Sequence, residues 1–126
     1  MVILDTNIII DHLRQKTKEE SALELISKKF SKKILAVSMI TIQELYEGQS
    51  TKNELKEAFM LSLISPLKIL PYTYEIAKLA GQLARDSKAA IELADAAIAA
   101  TCIINNAGLY SLNKKHFKNI INLELI

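Results

Sequence analysis

The strongest constraint on this chain is a recurring alternation. Short, nearly continuous apolar runs are separated by longer stretches with helical spacing. Val2-Ile3-Leu4 stops on Asp5, and Ile34-Leu35-Ala36-Val37 leads into Ser38-Met39. Leu67-Lys68-Ile69-Leu70 is closed by Pro71, Leu109-Tyr110-Ser111-Leu112 ends at Asn113, and a last run covers 120–126. Runs this short read as buried strands, and strands apolar on both faces belong to parallel sheets. The intervening stretches predict helices over 8–14, 18–30, 41–48, 51–65, 73–87 and 91–106. Strands alternating with helices predict an α/β fold with a central parallel sheet of four to five strands and helices on both faces. The run 120–126 is expected as an edge strand.

Local signals place the helix ends. Thr41-Ile42-Gln43-Glu44 has the form of a capping box, with Ile40 and Leu45 as a hydrophobic staple, and Thr51-Lys52-Asn53-Glu54 repeats the pattern. Pro66 stops the helix before it, Thr73 caps the next, and Gly108 is expected to end the last.

At 126 residues the chain is one domain, and with 50% hydrophobic residues it can fill a core. Three glycines and two prolines leave little room for linkers. A net charge of +2 permits a nucleic-acid partner without demanding one. The single cysteine excludes an internal disulfide and fits a reducing compartment. Cys102 reads as a small buried apolar residue. No leader segment is evident, and no apolar run approaches the roughly 20 residues of a membrane span. These features predict a soluble, cytoplasmic protein.

The candidate functional residues are acids beside apolar runs: Asp5, Glu44 and Asp95, with Asn113 completing the set. A carboxylate at the C-terminal end of a buried strand points into the crevice where α/β folds bind ligands. Asp5 equally suits the cap of the following helix, and Glu44 suits a capping box. Asp95 is harder to explain structurally. Its stripe, Ile91, Asp95, Ile98 and Cys102, is apolar except for the acid, and the helix is apolar nearly all round. A buried carboxylate is costly unless it is paired, protonated or bound to a metal, and this helix carries no lysine or arginine. Asn113 ends a strand as Asp5 does, and it also reads as a turn residue. Three carboxylates brought together repel each other, so either one takes up a proton or a cation joins them. Oxygen ligands without cysteine select Mg2+ or Mn2+, which points to phosphodiester hydrolysis by metal-activated water.

With these residues in order, the chain resembles the PIN domain, and more closely the VapC-type toxins. The resemblance is carried by Val2-Ile3-Leu4-Asp5-Thr6-Asn7 with Asp11 behind, and by Ser38 through Ile42-Gln43-Glu44-Leu45. Leu93-Ala94-Asp95-Ala96-Ala97-Ile98-Ala99-Ala100 and Leu112-Asn113-Lys114-Lys115-His116-Phe117 complete it. It spans essentially the whole chain. It implies a PIN-like fold and a metal-dependent endoribonuclease toxin, usually a homodimer, held inactive by a VapB-type antitoxin. Carried over by position, Asp5, Glu44 and Asp95 are the metal-site acids, and Thr6 and Asn7 orient Asp5 and bound water. Asn113 takes the fourth position, where the family often has aspartate. The missing charge weakens the case for a second metal ion.

Arg14, Lys16, Lys114, Lys115 and Lys118 fall near the expected C-terminal rim of the sheet. Arg14, Lys114 and Lys115 are the candidates for RNA phosphate contacts, although an ordinary solvated face is the preferred reading for any one of them. Lys28-Lys29 and Lys32-Lys33 lie away from that rim. His116 reads as a loop residue rather than a base, and Tyr46, Tyr72, Tyr74 and Tyr110 as packing residues. A degenerate domain that binds RNA or protein without cutting is the alternative, suggested by Asn113. An aspartyl-phosphate phosphotransfer domain fits poorly, because Asn7 replaces the second acid and the 67–70 strand ends without one. Apolar surface from 41–65 is expected to form the antitoxin groove or dimer face.

Overall fold

In the computed structural model, which describes residues 1–15 and 19–126, the first strand holds the middle of the sheet. This strand, β1 (Val2–Leu4), lies between β2 (Leu35–Ser38) and β4 (Gly108–Tyr110), and β3 (Lys68–Leu70) lies outside β2. All pairings are parallel: Val2 aligns with Leu35 and Gly108, and Ile3 aligns with Ala36 and Leu109. The chain therefore builds outward from β1 to β3, then returns to the other side of β1. That reversal creates a switch point between β1 and β4.

Alternate residues of β1, β2 and β4 face opposite layers, whereas in β3, at the sheet edge, Lys68 and Ile69 are exposed and only Leu70 is buried. On one face Val2, Leu4, Leu35 and Val37 pack with Ile8 and Ile9 of α1 (Thr6–Arg14) and Leu23 and Ile26 of α2 (Ala22–Lys29). Leu45 of α3 (Met39–Glu47) and Met60 and Ile64 of α4 (Glu54–Ile64) complete that layer. On the other face Ile3, Ala36, Leu70 and Leu109 meet Ile98, Ala99 and Cys102 of α6 (Leu93–Ile104), with Phe117. Outside α6, α5 (Tyr74–Asp86) contributes Ile76 and Ala80 against Ala96 and Ala100. With sheet on one side and α5 on the other, α6 is buried without a break from Ala96 to Cys102. Its alanines allow both neighbours to approach closely. Truncating a side chain such as Ile98, fully buried here, costs about 2–5 kcal/mol.

Several helix ends differ from expectation. The first helix starts at Thr6, two residues early, because the Asp5 side chain caps it by accepting from the Thr6 N–H at 2.8 Å. Ser38, not Thr41, caps α3: β2 passes directly into the helix, so its last residue becomes the cap and its Oγ accepts from Ile40 N–H at 3.2 Å. Thr41 then falls inside the first turn and is wholly buried. Asn53, not Thr51, caps α4 through the Lys56 N–H, and Thr51 sits in a 3₁₀ turn, donating to the Gly48 carbonyl at 2.8 Å. The expected cap of α5 is found, with Thr73 Oγ1 accepting from Ile76 N–H.

Gly108 does not end α6. Asn106 does so with φ 52°, as Ala107 N–H reaches the Cys102 carbonyl and Asn106 N–H that of Ile103. Gly108 instead belongs to β4, where a β-carbon would run into Ile126. The segment 120–126 is not a strand. It makes one parallel bridge, Leu109 to Leu125, at the sheet edge. Tyr110 packs on the core, but Tyr46, Tyr72 and Tyr74 are exposed, so packing does not account for them. Lys16 and the expected start of the second helix at residue 18 lie outside the described residues. Among the described residues no helix is long and apolar enough to cross a membrane.

Candidate active site

Asp5 stands at the C-terminal end of β1, beside the switch point. Its backbone N–H extends the ladder to the Tyr110 carbonyl at 2.9 Å. That bond sets the carboxylate against the residue following β4, which is Ser111. The buried Ser111 hydroxyl donates to Asp5 Oδ2 at 2.6 Å. Thr6 N–H holds Oδ1, so both oxygens of a nearly buried carboxylate are fixed. Capping the helix leaves Asp5 at the C-terminal end of β1, so the cap is compatible with its candidate site role.

Ser111 also organises the fourth position. Its Oγ accepts from the Asn113 N–H at 2.9 Å and from Asn7 Nδ2 at 3.4 Å, and the Asn7 Oδ1 accepts from Leu112 N–H. Asn7 thus positions the turn after β4 as well as the neighbourhood of Asp5. The Asn113 side chain makes no cap bond and is exposed beside Asp5's network.

Glu44 reaches the same region from α3. Released from capping by Ser38, its Oε1 accepts from the Thr6 hydroxyl at 2.6 Å. Thr6 has one hydroxyl proton, so the 2.9 Å contact between Thr6 and Thr41 runs the other way, with Thr41 donating. A relay from Thr41 through Thr6 to Glu44 therefore anchors the acid. Asp95 enters on the first turn of α6, its side chain 19% exposed, and its Oδ2 lies 3.2 Å from His116 Nδ1.

The electrostatics tie the three acids together. Burial pushes the Asp5 carboxyl above its ordinary range, opposed in part by the hydrogen bonds from Ser111 and Thr6. Burial also raises Glu44, the Thr6 bond lowers it, and the charges of Asp5 and Asp95 raise it further. Asp95 is raised by burial and then by Asp5, with His116 pulling the other way. Among the described residues neither Asp5 nor Glu44 forms an ion pair, and Asp95 pairs only with His116. The acids converge without closing into a cage: no three His, Cys, Asp or Glu side chains of the described residues stand at metal-ligand spacing. Such an open arrangement suits a cation that keeps waters and takes one or two carboxylates, as Mg2+ does.

Of the basic candidates, Lys114 and Lys115 lie in the exposed 3₁₀ turn Lys114–His116, lining a cavity of about 590 Å³ formed by residues 110–116. Lys118 is exposed just beyond that turn. Arg14 stands at the far end of α1, about 12 Å along the helix axis from Thr6. Asp11 turns away from the site and accepts from the Ala22 N–H of α2 at 3.1 Å. Cys102 is buried and its thiol is pushed up to about 12, chiefly by burial. Sequence reasoning missed Ser111, Thr41 and the contact of His116. A serine directly after a strand that ends beside Asp5 was the available signal for the first.

A parallel α/β sheet with acids gathered at its switch point defines the class. The chain belongs to the PIN domain family, whose sequence model matches residues 2–122. Within it the chain is similar to Ribonuclease VapC1 of Methanocaldococcus jannaschii, 32% identical over 121 residues, which cover 94% of this chain and 80% of that protein. It is 31% identical to Ribonuclease VapC19 of Mycobacterium tuberculosis over 128 residues, 98% of each chain. The crystal structure of VapBC2 from Rickettsia felis bound to a promoter DNA fragment matches with TM-score 0.80 at 28% identity, over 99% of this chain and 96% of that one.

Proposed function

We propose that this chain is a VapC-type endoribonuclease, the toxin of a toxin–antitoxin pair, which hydrolyses RNA phosphodiesters with Mg2+ or Mn2+ bound most directly by Asp5 and Asp95, with Glu44 completing or supporting the site. The observation that carries this reading is the gathering of three buried or half-buried carboxylates with no lysine or arginine partner among the described residues, where burial first and then repulsion from Asp5 disfavour the charged forms of Glu44 and Asp95. A divalent cation bound there would relieve that repulsion, lower the pKa of attacking water and neutralise charge on the phosphoryl oxygens. Ser111 and Thr6 N–H hold Asp5, and the Thr41–Thr6 relay holds Glu44. Lys114 and Lys115 would bind flanking phosphates at the rim.

RNA cleavage with and without EDTA, alongside Asp95→Asn, tests this reading. Undiminished cleavage in that variant removes it. The open arrangement of the acids and the amide at Asn113 favour one rival, a non-catalytic binding module. Calorimetry with Mn2+ separates the two, since the enzyme must take up metal.

The partner surface proposed for a VapB-type antitoxin is the apolar face on α3 and α4. There Tyr46, Leu55, Phe59 and Leu61 remain 43–83% exposed. A second copy of the chain is the other expected partner, and the cytoplasm is the expected compartment. Light scattering on the isolated protein and co-purification with the product of an adjacent gene check these assignments. A monomer with no co-purifying protein would count against both.

A further inference from the structure

We propose that His116 is a positioning residue: its Nδ1–H holds one oxygen of the Asp95 carboxylate and so fixes the orientation in which that carboxylate meets a metal ion. The inference rests on the metal reading of Asp5, Glu44 and Asp95.

The contact is 3.2 Å from His116 Nδ1 to Asp95 Oδ2. An ionised carboxylate only accepts, so Nδ1 carries the hydrogen and the tautomer is set. Among the described residues this is the sole hydrogen bond of the Asp95 side chain, whereas Asp5 and Glu44 are each held by hydroxyl donors. The geometry is anchored from both sides. Asp95 lies one turn before Ile98 and Ala99 of α6, and Phe117, next to His116, is buried in the same cluster as those two residues. The intervening turn is closed by His116 N–H on the Asn113 carbonyl and Phe117 N–H on the Lys114 carbonyl, both at 3.0 Å. His116 itself is 55% exposed, so burial does not force its ring onto the acid. The ring sits at the edge of the cavity lined by residues 110–116. Donors that orient a ligating carboxylate typically change metal affinity by about 10–100-fold when removed.

The test uses the full chain with Mn2+ alone as probe. Calorimetry gives the Mn2+ affinity of wild type, His116→Ala, His116→Asn and His116→Gln. RNA cleavage across a Mn2+ series separates the metal requirement from the rate at saturation. Melting in EDTA reports folding. Asparagine places an N–H donor where Nδ1 stood, and glutamine does not. The expected result is that His116→Ala and His116→Gln weaken Mn2+ binding by about 10–100-fold. Most of the cleavage rate should return at saturating Mn2+, His116→Asn should restore most of the affinity, and melting in EDTA should be unchanged. Wild-type Mn2+ affinity in the alanine variant overturns the proposal, as does an asparagine variant no better than alanine. A wild type that takes up no Mn2+ overturns the metal reading itself, a distinct result.

Discussion

The Thr6 hydroxyl donates to Glu44 Oε1 at 2.6 Å while accepting from Thr41, joining residues that lie 38 and 35 positions away along the chain. One side chain thus fixes an acid of the site and satisfies a buried hydroxyl. Thr6→Val keeps the shape and removes both interactions. It should destabilise the fold by about 1–3 kcal/mol in urea unfolding and reduce cleavage, because the Thr41 hydroxyl and Glu44 lose their partner. Thr6→Ser should stay close to wild type.

Ser111 holds Asp5 Oδ2 and accepts from the Asn113 backbone. Ser111→Ala should lower cleavage or Mn2+ affinity by about 10–100-fold, the usual cost of losing a donor to a ligating carboxylate. Circular dichroism should show the fold retained.

Folded, the carboxyl groups of Asp5, Glu44 and Asp95 hold protons at pH values where the unfolded chain has lost them, chiefly because burial disfavours their charged forms. Metal-free, these groups therefore add stability as pH falls through the window above the ordinary values of 3.8 and 4.5, and cost stability as pH rises through it. Asp95→Asn should stabilise the EDTA-treated protein at pH 7 by on the order of 1 kcal/mol, as relief of a strained active site does. The gain should shrink toward pH 4. Urea titrations at several pH values measure it, and a gain independent of pH would contradict the electrostatic account.

The Cys102 thiol, buried and pushed up to about 12, should not react with a disulfide reagent in the native state. Labelling should follow global unfolding in urea.

Lys114 and Lys115 are exposed on the turn beside the site. Replacing either with alanine should weaken RNA binding and lower the slope of log affinity against log salt by roughly 1. Arg14→Ala, at the far end of α1, should change that slope less.

The architecture was legible because burial on both faces leaves a continuous apolar signature. Val2–Leu4 and Leu35–Ser38 could be read as central strands for that reason, and α6 as a buried helix. Asp95 stood out by the same logic, a charge in an apolar stripe. Helix starts were less legible. Ser38 and Thr41, or Thr51 and Asn53, are near-equal caps by local chemistry, and the choice fell to how each strand or turn enters its helix. The run 120–126 has strand composition, yet it forms only one bridge at the edge.

Local spacing and polarity, then, fixed the element types, the parallel sheet and the acids worth watching, because those depend on neighbours within a few residues. The fold alone decided that Ser111 meets Asp5, that Thr6 reaches Glu44 and that His116 rests on Asp95. The first and third follow from the return of the chain to the far side of β1, the second from β2 pairing beside β1 and delivering α3 to the same end of the sheet. A single hydroxyl or imidazole leaves no periodic trace in a sequence to announce the partner that such a return supplies.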